Sequence, residues 1–269
     1  MALPQPYCNS LTNRTKLVVA YDGTDFRGWA AQTGQRTVQS TLTEAVRRVS
    51  GEDIEIVGAS RTDSGAHARG QVCHFDSSVG IEPETWARAL NDVLPLDVGV
   101  LNSSGVPESF ESRFCAIDRW YRYRILIGRR NPLKTRFAHS VWKGVDLESM
   151  VESSKSLVGL HDFRAYTEEL DKSVENTMRR LFRVDVVQVR DEVQINIAGT
   201  AFLRGMMRRI AGGLLEVGLG KRDPADIGKL LTESHRKMHL PVVLPANGLT
   251  LMKVRYGRWP TDNRKNSLE

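Results

Sequence analysis

A chain of 269 residues is long enough for one or two domains with a hydrophobic core, and its 41% hydrophobic and 26% charged residues are typical of a globular protein. No segment approaches the ~20 apolar residues of a membrane-spanning helix, and the first residues lack the basic start and apolar stretch of a secretory signal. The net charge of +6 favours a polyanionic partner such as a nucleic acid.

The three cysteines give no sign of a metal site or a disulfide framework. Cys8, Cys73 and Cys115 are scattered along the chain without a Cys-x-x-Cys spacing. We therefore expect reduced thiols, a cytoplasmic location and no bound metal.

The first half of the chain, residues 15–105, alternates strand and helix patterns. Thr37 can cap one amphipathic helix, and Pro83 begins a second. Strands are expected at 16–20, 54–57, 72–75 and 98–101. This β-α-β-β-α-β order is that of a ferredoxin-like unit. The polar residues 1–14 are predicted to be disordered.

The second half, residues 106–256, has a similar order of elements. Asp146 can cap a helix, a strand pair turns around residues 190–191, and Asp223 can begin a short helix that runs through Leu231. Further elements are expected as a strand at 120–127, a long helix at 200–217 and a last strand at 249–254. Residues 257–269 are predicted to be disordered.

Together these patterns predict an α+β fold. Its two ferredoxin-like or RRM-like αβ halves would have antiparallel sheets joined around a central active-site cleft, with the two sheets facing each other.

One carboxylate, Asp63, lies between Arg61 and Arg69 in a turn-rich segment that joins two predicted strands. A carboxylate held at a strand–loop junction by a rigid scaffold is a common way to build a reactive site. On spacing alone, a solvated loop aspartate beside a surface arginine is the competing interpretation.

Basic residues concentrate in three segments, 119–136, 179–183 and 204–209, and aromatic residues are interleaved with them. Phosphates attract cations, and unstacked bases pack on aromatic rings. The pattern therefore favours RNA contact, against the alternative of solvated strand and helix faces.

The segment Ser60–Arg69 resembles the signature loop of the pseudouridine synthase family that modifies the anticodon arm of transfer RNA (tRNA), bacterial TruA type. Four further segments resemble that family in the same order along the chain, and a short motif does so as well. They are Lys16–Trp29, Arg119–Tyr123, Ala201–Ile210 and Asn247–Leu251, with the motif at His161–Phe163.

The resemblance implies a reaction in which the C1′–N1 bond of uridine is cut, the base rotates and C1′ joins C5. Asp63 would be the catalytic carboxylate, Arg208 its cationic partner, and Tyr121 a ring that stacks on the uracil and takes part in proton transfer. Arg61 would help to displace the extruded base. Because the reaction is an isomerisation, no cofactor is expected.

Other residues are expected to contact the substrate. Arg122 borders Tyr121, Arg204 lies in the helical motif, and His67 closes the signature loop, where a hydrogen-bonded loop histidine is the alternative. The cations Arg179, Arg180 and Arg183 are expected to contact phosphates, and the His161–Phe163 motif is interpreted as a structural turn.

The resemblance further implies uridines at tRNA positions 38 to 40 as targets and a homodimer in which one RNA contacts both subunits, with no membrane and no small-molecule cofactor. A non-catalytic RNA-binding module or RNA chaperone on the same fold is the alternative. A carboxylate-based glycosidase would need a second acid at a suitable separation, and no convincing candidate is present.

Overall fold

The computed structural model describes residues 14–167, 176–232 and 238–257. In the first half these form β1 Arg14–Tyr21, α1 Val38–Ser50, β2 Val57–Gly58, β3 His67–Asp76, α2 Trp86–Asn91 and β4 Val98–Gly105. In the second half they form β5 Ala116–Ile127, α3 Pro132–Thr135, β6 His139–Val141, α4 Leu147–Ser154, β7 Gly159–Asp162, β8 Met178–Val189, β9 Glu192–Gly199, α5 Met206–Gly218, α6 Asp226–Lys229 and β10 Leu249–Tyr256.

The strands form a single sheet in the order β4-β1-β3-β10-β5-β9-β8-β7, with β2 added beside β3 and β6 beside β5. The subset β4-β1-β3-β2, with α1 and α2 as connections, has the strand order of a ferredoxin-like unit, and β10-β5-β9-β8 repeats that order with α4 and α5. The predicted α+β fold with two ferredoxin-like halves is therefore confirmed.

The expectation of two facing sheets is wrong, because the halves join edge to edge. β2 is only two residues long and pairs with His74 and Cys73, which leaves the first part of the β3 edge available. β10 occupies that part in parallel, with Thr250 opposite His67. Residues 54–56, predicted as strand, do not extend β2, and the Gln39 side chain donates to Ile56 O at 2.7 Å.

Helix starts follow local capping chemistry. Thr37 and Asp146 accept hydrogen bonds from the third residues of α1 and α4, as predicted. The long helix begins at Met206 rather than at 200, because Gly205 has φ +69, a left-handed conformation that glycine adopts without a steric penalty. The predicted short helix contracts to the four residues of α6, whereas the Asp223 side chain accepts from Ala225 N in the preceding turn.

The chain ends need one correction. Arg14 already belongs to β1, where its side chain pairs with Asp76 across the ladder, so the segment predicted to be disordered ends before it. The predictions for residues 1–13 and 258–269 lie outside the described residues. Within the described ranges, no helix is long and apolar enough to cross a membrane.

Candidate active site

Asp63 lies in the loop of residues 59–66, which joins β2 to β3. This loop is fixed to the turn that follows β1. Trp29 N donates to Thr62 O at 3.1 Å, and the buried hydroxyls of Tyr21 and Thr62 lie 2.7 Å apart in a hydrogen bond. Burial raises the pKa of the Tyr21 phenol, so this group stays neutral. The aspartate is therefore held on a packed segment.

The same turn touches the loop at a second point, where there is no room for a side chain. A Cβ built on Gly23 would lie 1.9 Å from Ala66 O, and Gly65 N donates to Phe26 O at 3.2 Å. The turn after β1 and the Asp63 loop, which lie some forty residues apart in the sequence, thus form one structural unit.

Arg208 reaches this loop from α5, in the other half of the chain. Its Nη1 lies 3.3 Å from Asp63 Oδ2, and its Nε donates to Leu244 O at 2.7 Å. The Arg208 and Asp63 side chains are 17% and 21% exposed, so the ion pair lies at the edge of solvent rather than in a dry interior. A substrate can therefore approach the carboxylate while the arginine keeps it oriented.

Tyr121 projects from β5 towards the same place, on the side of the sheet where α5 packs. Burial raises the pKa of its phenol, and the negative charge of Asp63 acts in the same direction. A hydrogen bond from the Ser60 side chain partly opposes that shift. Phe202 packs edge-to-face on Tyr121 with ring centroids 4.9 Å apart, and Tyr121 is only 7% exposed. The Tyr121 ring is therefore largely covered, and little of it is exposed for stacking on a base.

The comparisons with known proteins agree on one family. The family model described as tRNA pseudouridine synthase matches residues 17–114 and 154–257. The tRNA pseudouridine synthase A of Brevibacillus brevis is 39% identical over 247 residues, covering 90% of this chain and 99% of that protein. The chain belongs to the tRNA pseudouridine synthase family.

Two more relatives match over a similar share of this chain. The tRNA pseudouridine synthase A of Syntrophotalea carbinolica is 36% identical over 90% of this chain and 95% of that protein. The tRNA pseudouridine synthase A 2 of Clostridium tetani is 35% identical over 91% of this chain and all of that protein. A solved Cbf5-Nop10-Gar1 complex is similar with a TM-score of 0.33 and 10% identity, values too low to support an inference.

Strand alternation in this member of the tRNA pseudouridine synthase family divides the arginines of β5 between two faces. Arg119 shares the face of Tyr121, whereas Arg122 and Arg124 point to the opposite face. There Arg122 donates to a β9 side chain at 2.8 Å, and Arg124 forms an ion pair with Glu192 at 2.7 Å. The prediction that Arg122 contacts the substrate beside Tyr121 is therefore corrected.

His67 is also corrected, because it is 3% exposed. Gly23 N donates to its Nδ1 at 3.0 Å, and its Nε2 lies 3.2 Å from Asn247 O. Burial lowers its pKa, which favours the neutral ring that accepts at Nδ1 and donates from Nε2. His67 thus ties the turn after β1 to the segment before β10, and the alternative of a hydrogen-bonded structural histidine applies.

Two residues that are predicted to contact the substrate are exposed to solvent. Arg61 is exposed, two residues before Asp63, and Arg204 is exposed just before α5, the helix that carries Arg208. The structure therefore places one solvent-facing arginine on each of the two segments that bring Asp63 and Arg208 together.

The proposed phosphate contacts on β8 have different surroundings. Arg179 is half-buried and its Nη1 donates to two backbone carbonyls at 2.9 and 2.7 Å, and burial lowers its pKa. Arg183 is exposed and forms an ion pair with Asp185, while Arg180 is half-buried. Arg179 is thus partly engaged within the protein, and its contact with a phosphate stays a prediction.

The His161–Phe163 motif forms the end of β7 and the turn after it. Phe163 is fully buried, and Asp162 Oδ1 accepts from Arg164 N at 2.9 Å. These contacts are those of a structural turn. Among the described residues, no group of three or more His, Cys, Asp or Glu side chains has the arrangement of a metal site.

Two neighbours of the site were assigned no role from the sequence. Phe202 packs on Tyr121, and the buried Arg119 lies on the same strand face as Tyr121. Counting alternate residues along β5 could have separated Arg119 from Arg122 and Arg124, whereas nothing local indicates that Phe202 folds back onto the strand.

Proposed function

We propose that the protein isomerises uridine to pseudouridine in the anticodon stem-loop of tRNA, with Asp63 as the catalytic carboxylate. The observation that carries this proposal is the 3.3 Å contact between Asp63 and Arg208, which brings together two motifs 145 residues apart beside Tyr121. A structural ion pair at a solvent edge contributes little to stability, so an ion pair in this position favours a chemical role.

The reaction needs a carboxylate at the ribose, a way to hold the freed uracil, and an acceptor for the C5 proton. The C1′–N1 bond breaks, the base turns, C1′ bonds to C5, and the C5 proton leaves while N1 ends with a proton. Asp63 can serve in two ways: it attacks C1′ as a nucleophile, or it removes the proton at C2′. Deuterium at C2′ gives a primary isotope effect in the second route only.

Arg208 keeps the Asp63 carboxylate oriented, since its guanidinium lies at hydrogen-bond distance from one carboxylate oxygen. Tyr121 stays protonated at neutral pH because of its burial, so its ring and hydroxyl contact the uracil as a neutral group. Arg61 occupies the space left by the extruded nucleotide, and Arg204 contacts a phosphate near α5.

The proposal extends to the assembly: a homodimer in which one tRNA contacts both subunits, working in the cytoplasm without a cofactor. The excess of basic residues supports a polyanionic partner. Activity on prefolded tRNA is expected to survive EDTA treatment, because an isomerisation needs neither a redox step nor a Lewis acid. Loss of activity that zinc alone restores would contradict this expectation.

The test is incubation with unmodified tRNA followed by mapping of pseudouridine, for the wild-type protein and for Asp63→Asn. We expect the wild-type protein to modify the anticodon stem-loop, and the variant to bind tRNA within about threefold of the wild type but to form no product. The exposed Asp53, replaced in Asp53→Asn, is the matched control and should retain full activity.

The other outcomes of this test identify the alternatives. Binding by the wild-type protein without any product would favour the RNA-binding module or chaperone. Release of free uracil would indicate a glycosidase. Substantial turnover by Asp63→Asn would remove Asp63 from the catalytic role.

A further inference from the structure

Arg119 is a buried cation with an unusual set of partners. It is 8% exposed, and its guanidinium donates to backbone carbonyls of the Asp63 loop, of the segment after β9 and of the segment just before β5. Nη1 donates to Thr200 O at 2.7 Å, while Nη2 donates to Ala59 O at 3.1 Å and to Arg113 O at 2.5 Å. Burial lowers its pKa, so the interior position disfavours its charge.

Two of these contacts, to Ala59 O and to Thr200 O, lead to candidate catalytic residues. Ala59 is the first residue of the loop that carries Asp63, and the side chain of the neighbouring Ser60 acts to lower the pKa of the Tyr121 phenol. Thr200 begins the segment that leads through Phe202, which packs on Tyr121, into α5. Arg119 itself lies two residues before Tyr121 on the same face of β5.

We propose that Arg119 is a positioning residue that fixes the Asp63 loop, β5 and the entry to α5 relative to one another, and so sets the geometry of the catalytic group. This inference rests on the proposed function. A planar guanidinium suits the task because it presents five donors on three nitrogens in a fixed geometry, whereas a lysine has its three donors on one compact nitrogen and cannot reach carbonyls that lie as far apart.

The role predicts a loss of rate rather than of affinity. Arg119→Met removes the hydrogen bonds from β5 to the Asp63 loop and to the segment before α5, and a displacement of about 1 Å at a reacting group can cost about 100-fold in rate. The single-turnover rate at saturating enzyme should fall by about that factor, while the tRNA dissociation constant stays within about threefold of wild type. Arg119→Lys should recover part of the rate.

Arg14 provides a matched control for the loss of a structural arginine. It is partly buried, pairs with Asp76, and its Nη1 donates to Phe110 O at 2.8 Å, in the segment that contains Arg113. No hydrogen bond of Arg14 described here reaches the loop or α5. Arg14→Met should lower the unfolding temperature but leave the single-turnover rate within about threefold of wild type.

The experiment measures single-turnover rate, tRNA affinity and unfolding temperature for wild type and the three variants. An Arg119→Met rate no lower than that of Arg14→Met would overturn the inference, as would a loss confined to affinity. Should Arg119→Met fail to fold, Arg119→Lys decides by the same comparison, with a wild-type rate counting against the inference. A wild-type protein that forms no pseudouridine would instead overturn the proposed function.

Discussion

Among the described residues, the guanidinium of Arg208 contacts the carboxylate of Asp63 and the carbonyl of Leu244. The second contact anchors the arginine to its own half of the chain, so that the first is made from a fixed point. Because both side chains of the ion pair are partly exposed, its contribution to folding is smaller than that of a fully buried pair. We therefore expect the ion pair between Asp63 and Arg208 to contribute mainly to catalysis.

Replacing Arg208 tests this assignment. Arg208→Ala should slow single-turnover isomerisation by at least about 100-fold with a small change in tRNA affinity, since the carboxylate loses its orienting partner. Arg208→Lys should recover only part of the rate, because an ammonium cannot reach both acceptors as the guanidinium does. A change confined to affinity and to its salt dependence would instead make Arg208 a phosphate contact.

Buried histidines give the protein a pH-dependent stability. Burial lowers the pKa of His67 below its unfolded value of about 6.5, although the Asp22 carboxylate 3.1 Å away acts in the opposite direction. Between the two values the unfolded chain binds more protons than the folded one, so the stability contribution is present above the unfolded pKa and is lost as the pH falls through that window.

His67→Asn should therefore weaken the pH dependence. The free energy of unfolding of the wild type should fall between about pH 7.5 and about pH 5.5, and the variant should lose less over the same interval. Phe137→Leu, which alters a ring 4.8 Å from His67 without removing a titrating group, is the control and should keep the wild-type difference. If the free energy of unfolding changed equally with pH in His67→Asn and in the wild type, His67 would not be a source of the pH dependence.

At the scale of elements, the Asp63 loop owes its shape to the turn after β1. Gly23 tests this dependence, because a Cβ there would lie 1.9 Å from a backbone oxygen that cannot rotate away. Gly23→Ala should destabilise the protein by about 1–3 kcal/mol through overpacking and should slow single-turnover chemistry. Gly144→Ala, where the added Cβ meets nothing within 4 Å, should change neither quantity. Unaltered chemistry in Gly23→Ala would show that the loop does not depend on this contact.

Most elements could be predicted from local signals, and the errors have local causes. The caps at Thr37 and Asp146 and the alternating apolar residues of β8 and β9 identified their elements. The start of α5 was predicted too early because the helical pattern of the sequence continues back through Gly205. The left-handed backbone of Gly205 ends the helix on that side. The sequence cannot show that glycine's conformation.

At the scale of the whole molecule, the element order predicted two ferredoxin-like halves but not how they join. The pairing of β10 with β3 connects residues about 180 positions apart and has no local signal, so facing sheets were an equally natural expectation. The same limit applies to the site: family motifs pointed to Asp63, Tyr121 and Arg208, whereas the contacts of Arg119 depend on the folded backbone.

The continuous sheet predicts which side of the molecule meets RNA. Asp63 and Tyr121 lie on the side where α5 packs, with the exposed Arg61 and Arg204 on the adjoining segments, whereas Arg124 lies on the opposite face in an ion pair with Glu192. A cation that neutralises a phosphate releases counterion and steepens the dependence of affinity on salt.

Arg61→Ala and Arg204→Ala should each weaken tRNA binding and reduce the slope of log affinity against log salt by about one contact. Arg124→Ala is the matched control on the far face, and its slope should equal that of wild type, since its charge is already balanced by Glu192. Filter binding over a range of salt concentrations measures all three variants. A reduced slope for Arg124→Ala, together with wild-type slopes for Arg61→Ala and Arg204→Ala, would mean that RNA lies on the opposite face of the sheet. The extruded uridine could then not reach Asp63 from the proposed side.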